Sequence, residues 1–524
     1  KIEEWLPPDL LKAQKLLTLK EALINIHRPK NWTDIEAARH RLAFDELVTL
    51  QLQGQLIREK WQASQAPIIK FNEVLTKKII SNWPFQLTND QRRCSWQILQ
   101  GLGSNQPMLR LLQGDVGSGK TAVAILAMAN VADSGYQTAL IAPSEVLAHQ
   151  HFQTAVASLG KFFSIGLLTR TQQFLSTPGE GIKKITKKQL PKELALGQCL
   201  IVIGTQALLQ ESVDFYKLGL LVVDEQHRFG VEQRQLLLNK KLFTEDNKNL
   251  IAHFLAMTAT PIPRSLALSL YGDLNLSVIK TMPSGRLPVA TKIVEDEDRS
   301  KMYKFIRQLL DKGEQAFIIC PLVDPSDKLA VKAVTDEFHR LATGEFKNYK
   351  VGLLHGRLSG AKKQAVMADF VAGNYQVLVA TAVIELGIDV PGATVMVIES
   401  ADRFGLAQLH QYRGRVGRRG QQAYCFLLKS PGSGTLAERR LRAVVKYNSG
   451  QELARLDLMW RGPGELYGYE QTGFVELQLA NIFDQDLIMV AHKAALAVLS
   501  DRVWRHKAMA HLAWKSGVLD VLPQ

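Results

Sequence analysis

The stretch Gly114-Asp115-Val116-Gly117-Ser118-Gly119-Lys120-Thr121 fits the pattern G-x-x-x-x-G-K-[ST] in full. Glycines at these positions let backbone N–H groups wrap phosphate oxygens without Cβ clashes. A helix that starts where the loop ends adds partial positive charge. Lys120 would then reach the β- and γ-phosphates, and the Thr121 hydroxyl would hold Mg²⁺. An apolar run (Met108, Leu109, Leu111, Leu112) precedes the loop, and a helix-forming run from Ala122 to Ala127 follows it. Strand, loop and helix in that order are what this chemistry needs, so the spacing predicts a nucleoside triphosphate site.

Three further groups complete such a site. Leu220-Leu221-Val222-Val223 runs into Asp224-Glu225-Gln226-His227, and acidic residues at the carboxyl end of a buried strand sit where parallel sheets hold ligands. Asp224 would complete the Mg²⁺ shell, and Glu225, turned elsewhere by strand alternation, could polarise the attacking water. About 25 residues before the loop stands Phe85-Gln86-Leu87-Thr88-Asn89-Asp90-Gln91. A Gln amide both donates and accepts, so Gln91 could select adenine over guanine with Phe85 packed near the base; the plainer reading is a helix capped by Thr88. Gln411, Arg415 and Arg418 fall at i, i+4 and i+7, which places an amide and two guanidiniums on one helical face. Such forks suit the spread charge of a transferring phosphoryl group, and a basic nucleic-acid-binding helix is the rival reading.

These groups need two scaffolds. From Pro84 onward apolar runs alternate with helical stretches, the signature of a parallel α/β sheet: Thr138-Ala142, Leu200-Ile203, Leu220-Val223 and Phe254-Met257 read as strands. Met282-Pro283-Ser284-Gly285-Arg286 reads as a linker. A second set follows at Ala316-Cys320, Val351-Leu354, Val377-Ala380, Val395-Ile398 and Ala423-Leu428. Residues 1–80 read as amphipathic helix, with Trp5, Leu6, Leu10, Leu11, Leu16 and Leu17 at helical intervals and a further helix over Ala37 to Leu52. After residue 430 the pattern is helical again, from Leu436-Tyr447 to the C-terminus. The expected fold is therefore α/β, with two tandem parallel-sheet domains at 81–282 and 287–430, flanked by helical segments 1–80 and 431–524.

The chain has 524 residues and 64 Lys plus Arg against 50 Asp plus Glu, a formal charge of +14. That excess favours a polyanionic partner, most simply nucleic acid. Cys94, Cys199, Cys320 and Cys425 stand far apart with no C-x-x-C pair, which argues against zinc or a disulfide framework and fits a reducing compartment. The sequence carries no run long enough for a membrane span and no signal peptide. It starts with Lys1, as a fragment would.

Together these blocks resemble superfamily 2 helicases, and within them the RecG family of branch-migration DNA helicases. The resemblance rests on LLQGDVGSGKT (111–121), DEQHRFG (224–230), MTATPIPR (257–264), ATAVIELGIDVPGA (380–393) and QLHQYRGRVGR (408–418). It extends from about Leu19 to Gly473 and includes ALINIHRP (22–29), ARHRLAFDELVTLQL (38–52) and DLMWRGPGELYGYEQTG (457–473), the last similar to the segment this group uses to couple ATP hydrolysis to movement on duplex DNA. The resemblance implies two RecA-like domains closing on ATP and Mg²⁺, with Gly387, Asp389 and Gln411 lining the cleft from the second domain. DNA phosphates would meet Pro143, Ser144, Gly204, Thr205, His355, Gly356 and Thr381; short side chains and backbone N–H groups at strand-to-helix corners suit that task. Thr258 and Thr260 would relay nucleotide state, and Arg461 and Gln471 would flank the moving hairpin.

The implied activity is ATP-dependent remodelling of branched DNA, stalled forks and Holliday junctions, in recombination and repair. The implied protein is a monomer in the bacterial cytoplasm, at the nucleoid, or in an organelle, not secreted, with a single-strand DNA-binding protein as a further partner and no membrane. The strand-splitting wedge, an OB-fold domain in this family, would precede residue 1. The relative that couples transcription to repair shares the core but lacks the 22–52 lead-in and usually has Ala where Pro463 stands. A non-hydrolysing module would have lost Lys120, Glu225 or Arg418, and a DEAD-box RNA helicase would read Asp-Glu-Ala-Asp at 224–227. The sequence departs from the family at Thr169-Arg170-Thr171, usually Thr-Gly-Ser, and the stretch after it is longer. It departs again at Gln206, Arg419 and Glu470. Lys183, Lys184, Lys187 and Lys188 in the lengthened stretch read as a cationic helical face, either solvated or in contact with DNA.

Overall fold

The computed structural model describes residues 3–225, 250–259, 274–283, 287–321, 328–381, 390–417, 420–430, 432–461, 477–480 and 484–516. Its strands are β1 (Leu109–Gly114), β2 (Gln137–Ile141), β3 (Ile165–Leu168), β4 (Gln173–Thr177), β5 (Gly181–Lys184), β6 (Ile201–Gly204), β7 (Leu218–Asp224), β8 (His253–Thr258), β9 (Asn275–Ile279), β10 (Ala290–Val294), β11 (Gln315–Ile319), β12 (Val351–Leu354), β13 (Val377–Ala380), β14 (Ala393–Ile398) and β15 (Tyr424–Leu428). The first nine form one sheet in the order β5-β4-β3-β6-β2-β7-β8-β1-β9, and the last six form a second in the order β10-β15-β14-β11-β13-β12. All pairings are parallel except β3–β4 and β4–β5.

The helices are α1 (Pro8–Ala13), α2 (Leu19–His27), α3 (Trp32–Gln62), α4 (Glu73–Ser81), α5 (Asn89–Leu102), α6 (Lys120–Asp133), α7 (Glu145–Leu159), α8 (Gln189–Ala195), α9 (Arg299–Leu310), α10 (Lys328–Thr343), α11 (Gly360–Val371), α12 (Leu406–Arg413), α13 (Thr435–Lys446), α14 (Gly450–Arg461), α15 (Gln485–Ser500) and α16 (Arg502–Ser516). Parallel strands joined by covering helices bury both sheet faces, which is why β2, β3 and β6 are buried along their whole length. α6 is buried from Val123 to Ala132, so the helix behind the phosphate loop is anchored in the centre of the first core.

The two ends of the chain share a core. Phe44, Leu47, Val48 and Leu52 of α3 pack with Ile488, Ala491, Ala495 and Val498 of α15. Arg505 pairs with Glu59 at 2.7 Å, and the Glu46 carboxylate accepts the backbone N–H groups of Gln478, Leu479 and Ala480. Arg41, fully buried, pairs with Glu4 at 2.6 Å and with Asp45 and donates to the Leu17 carbonyl. Where α3 ends the chain docks on the first sheet: Trp61 joins its core, and His253 accepts from Met108 N–H at 3.0 Å while its Nε2 lies 2.7 Å from the Pro67 carbonyl. Burial pushes the pKa of His253 down to about 4, so this joint is made with neutral imidazole.

Two local expectations are corrected. Trp5 to Leu17 is not one helical run: only Pro8–Ala13 is helical, and Lys15 turns the chain at φ 50°. Trp5 and Leu6 are buried all the same, Trp5 stacked on His511 at 4.4 Å. Lys183 and Lys184 lie on edge strand β5, not on a helix, and Lys187 and Lys188 lie in the turn before α8. Gly179 and Gly181, at φ 84° and 76°, fold β4 and β5 into a hairpin, where period-2 alternation sends neighbouring lysines to opposite faces. Lysines on an exposed edge strand also discourage pairing with another chain. All four cysteines are free and buried, and among the described residues no helix is long and apolar enough to cross a membrane.

Candidate nucleotide and nucleic-acid interface

The loop between β1 and α6 turns on Gly117 and Gly119, at φ 82° and 86°, backbone that only glycine adopts at little cost. A Cβ on Gly119 would run into Gln91 Nε2, and one on Gly114 into Ser118 Oγ. The Ser118 hydroxyl is buried with no hydrogen-bond partner among the described residues. Lys120 Nζ donates to the Gly114 and Asp115 carbonyls at 2.7 and 3.1 Å. Burial pushes its pKa down, Glu225, Asp224 and Asp115 pull it back up, and Arg415 adds to the fall. A crowded glycine cradle, a hydroxyl unpartnered among the described residues and a partly buried ammonium that donates to two carbonyls fit a polyphosphate, because each gains a charged partner when phosphate arrives.

Gln91 joins the loop from outside. Thr88 caps α5, with its N–H donating to Gln91 Oε1 at 2.8 Å and its hydroxyl accepting from Gln91 N–H at 3.2 Å. The Gln91 amide nitrogen then donates to the Ser118 carbonyl at 2.7 Å. Gln91 therefore completes the cap of α5 and, through its amide nitrogen, braces the phosphate loop. Phe85 is about half exposed and stacks on Trp83 at 5.1 Å.

At the end of β7, Asp224 Oδ2 lies 2.8 Å from His151 Nε2 on α7, and Oδ1 accepts Glu225 N–H at 3.0 Å. Burial opposes ionisation of Asp224, but His151, through its hydrogen bond and charge, and Lys120 hold the pKa below the ordinary value. Glu225 sits at φ 51°, an uncommon conformation for a residue with a side chain. Its Oε2 accepts from Ala259 N–H at 3.4 Å, which ties it to the strand end that carries Thr258. Thr121 heads α6, half-buried. Thr121 and Asp224 are the residues that would hold a divalent cation.

The second sheet closes the site. Gly414 stands against Val116, where a Cβ on Gly414 would meet the Val116 Cβ at 3.0 Å, and Arg415 is buried close enough for its charge to act on Lys120. α12 ends at Arg413, with Gly414 as its cap and Gly417 at φ 71°. Gln411 is therefore on the helix and Arg415 in the turn beyond it, so the single helical face expected for the two is not formed. Glycines end a helix readily, and here Gly414 ends α12 between Gln411 and Arg415. Arg418, Gly387, Asp389, Thr260 and Gln471 lie outside the described residues, and Arg461 is the last residue of α14.

The strand ends next to this cleft gather the remaining candidates. Ile141 and Leu168 both pair with Gly204, so Pro143, Ser144, Gly204 and Thr205 form one corner; Ser144 caps α7, and Thr205 N–H donates to the Leu168 carbonyl at 3.3 Å. On the second sheet Leu354 pairs with Ala380, which sets His355 and Gly356 beside Thr381. Thr381 Oγ1 and His355 Nδ1 are buried without a partner among the described residues. Burial, then the charges of Lys363 and Arg357, lower the pKa of His355. The corners are bridged: Gln172 donates to Gln364 Oε1 at 2.9 Å, beside Glu145, which accepts from Thr171 N–H at 3.2 Å.

Sequence reasoning missed His151, His410, Arg413 and Gly450. His410 Nε2 is 3.3 Å from Asp115 Oδ1, and its Nδ1 is 2.8 Å from Arg413 Nη2. The one signal was a polar residue recurring on the inner side of α7 and of α12, which spacing alone does not separate from a surface histidine.

The comparisons agree with this geometry. The DEAD/DEAH box helicase model matches residues 88–268, and the helicase conserved C-terminal domain model matches 300–420. The ATP-dependent DNA helicase RecG of Bacillus subtilis is 41% identical over 522 residues, covering 98% of this chain and 74% of that protein. The RecG of Thermotoga maritima is 45% identical over 483 residues, covering 92% of this chain; the chain spans 60% of that relative's length. A solved structure of RecG bound to a three-way DNA junction is 42% identical with a TM-score of 0.74, covering 94% of this chain and 62% of that one. With the phosphate loop, the acidic strand end and the arginine turn brought together by two parallel sheets, the chain belongs to the RecG family of ATP-dependent DNA helicases.

Proposed function

We propose that this chain hydrolyses ATP to move on duplex DNA and so remodels branched DNA, at stalled forks and Holliday junctions, in recombination and repair. One observation carries the reading: the phosphate loop of the first sheet is faced across a seam by Gly414 and Arg415 of the second. An active site divided between two sheets couples chemistry to their relative motion.

Lys120 and the loop from Gly114 to Thr121 hold the phosphates, and Gln91 keeps the loop in shape. Mg²⁺, held by Thr121 and Asp224, would neutralise charge on the phosphate oxygens. Glu225 orients the attacking water and passes a change in its position to Thr258 through Ala259. Arg415 stabilises charge on the transferring group, and its buried guanidinium needs no rearrangement to do so. DNA phosphates meet the corner of Pro143, Ser144, Gly204 and Thr205 and the corner of His355, Gly356 and Thr381. The three-way DNA junction bound in the solved RecG structure supports branched DNA as the substrate class. Family membership likewise supports a monomer acting in the cytoplasm at the nucleoid, with a single-strand DNA-binding protein as a further partner.

The test is ATP hydrolysis by this chain on forked, four-way, duplex and single-stranded DNA of equal length. Duplex and branched DNA should stimulate turnover, with little effect of single strands. Equal stimulation by single-stranded DNA or RNA would overturn the reading.

A further inference from the structure

The phosphate loop makes one contact that holding phosphate does not require. The Asp115 carboxylate reaches across the seam: Oδ1 lies 3.3 Å from His410 Nε2, and Oδ2 accepts Gly450 N–H at 3.3 Å. Arg413 can only donate, so His410 Nδ1, 2.8 Å away, must accept, and the ring proton sits on Nε2, toward Asp115. Arg413 also donates to the carbonyls of Val444, Tyr447 and Asn448 at 2.6, 2.9 and 3.1 Å. Those residues span the end of α13 and the turn into α14, and Gly450 begins α14. Asp115 thus holds the start of α14 directly and lies against His410, which Arg413 joins to the turn before that helix.

Gly450 is shaped for this contact. A Cβ there would collide with Asp115 Oδ1 and come within 2.7 Å of His410 Nε2. Its φ is not left-handed, so the backbone does not call for glycine, and a helix is more stable with alanine. Close approach is the remaining reason. The Gly450 N–H bond at 3.3 Å is long, and Asp115 Oδ1 faces His410 Nε2 at 3.3 Å as a close charged contact rather than a hydrogen bond, so both break with a small displacement, as a switchable link must. α14 ends at Arg461 and leads directly into the rest of the 457–473 segment.

We propose that Asp115 is the positioning residue through which phosphate-loop occupancy reaches α14 and the segment beyond it. This rests on the reading of the chain as a DNA-stimulated ATPase. When the loop closes on phosphate, Asp115 moves, and with it the start of α14. Coupling of this kind is reciprocal, so DNA acting on the α14 side alters nucleotide affinity by the same link.

Two measurements test it. The first is hydrogen exchange of the 444–453 amides with and without a saturating non-hydrolysable ATP analogue. Addition should change exchange rates there about fivefold or more in the wild type and not in Asp115→Ala. The second is Gly450→Ala. Its melting temperature should be unchanged or higher and its DNA-free ATPase within about twofold of wild type, with stimulation by duplex DNA reduced at least about fivefold; adding Asp115→Ala should lower stimulation no further. Full stimulation of Gly450→Ala, or wild-type exchange that ignores the bound analogue, overturns the link. If wild-type protein shows no DNA stimulation at all, the functional reading fails, and the exchange experiment still decides the link.

Discussion

The cleft around the phosphate loop and the row of strand ends beside it are built from the same two sheets, yet they carry different kinds of polar group. In the cleft, charged groups are wholly or partly buried and meet protein partners: Lys120 the carbonyls of Gly114 and Asp115, Asp224 His151, and Asp115 the Gly450 N–H with His410 close by. Along the strand ends the groups are small, and Thr381 Oγ1 and His355 Nδ1 have no partner among the described residues. The cleft therefore works by fixed charge placed before the reaction starts, which is what transition-state stabilisation needs. On the function proposed, the strand ends would offer many weak sites to a regular polyanion, which would position DNA without reading sequence. Single substitutions should be severe in the first region and mild in the second.

The largest effect is expected at Lys120. Lys120→Ala should abolish ATP turnover while circular dichroism and duplex binding stay near wild type, because the loop is shaped by backbone and by Gln91 rather than by the lysine. Retained turnover would remove the cleft from one side of the comparison. Arg415 comes next. Loss of an arginine finger costs on the order of 10³–10⁵ in rate, and Arg415→Lys should not rescue because lysine lacks the planar fork. Steady-state kinetics should show the loss in kcat rather than in ATP affinity. A nearly normal lysine variant would turn Arg415 into a general electrostatic contact.

The strand ends should respond least. Thr381→Val keeps the shape and removes a buried hydroxyl with no partner among the described residues, so the fold should be as stable or more so. Duplex affinity should fall about fivefold, roughly the net worth of one hydrogen bond. A variant that loses stability and keeps its DNA affinity would make the hydroxyl structural. Lys183→Ala with Lys184→Ala should lower the slope of log affinity against log salt by no more than about one, since Lys183 is already paired with Glu180. An unchanged slope would leave the hairpin as solvated surface and confine the DNA track to the strand ends.

How much of this was legible beforehand depends on range. Val377–Ala380 is a strand at the residues that its apolar pattern marks, because a strand buried on both faces reads as an unbroken apolar run; Val351–Leu354, at the sheet edge with alternate residues buried, also lies where the sequence marks it. The hairpin β4–β5 did not show, since its residues are mostly polar and its pairing is set by two left-handed glycines. In the cleft the loop, Asp224 and Glu225 were visible because each chemical role is confined to a short contiguous stretch. The relation of Gln411 to Arg415 was misjudged because i, i+4 spacing implies one face only while the helix lasts, and α12 ends between them.

By itself, then, the sequence determined which groups can bind and activate a triphosphate, that two parallel sheets carry them, and which family they match. Those properties depend on residue types at short separations along the chain. Tertiary structure alone decided which partners those groups meet: His151 on Asp224, Gln91 on the phosphate loop, Asp115 on Gly450 at a separation of 335 residues, and α3 on α15. No local pattern encodes these contacts. They arise when packed sheets bring distant strand ends and helix starts to within hydrogen-bonding distance, where burial makes each polar group depend on the one it meets.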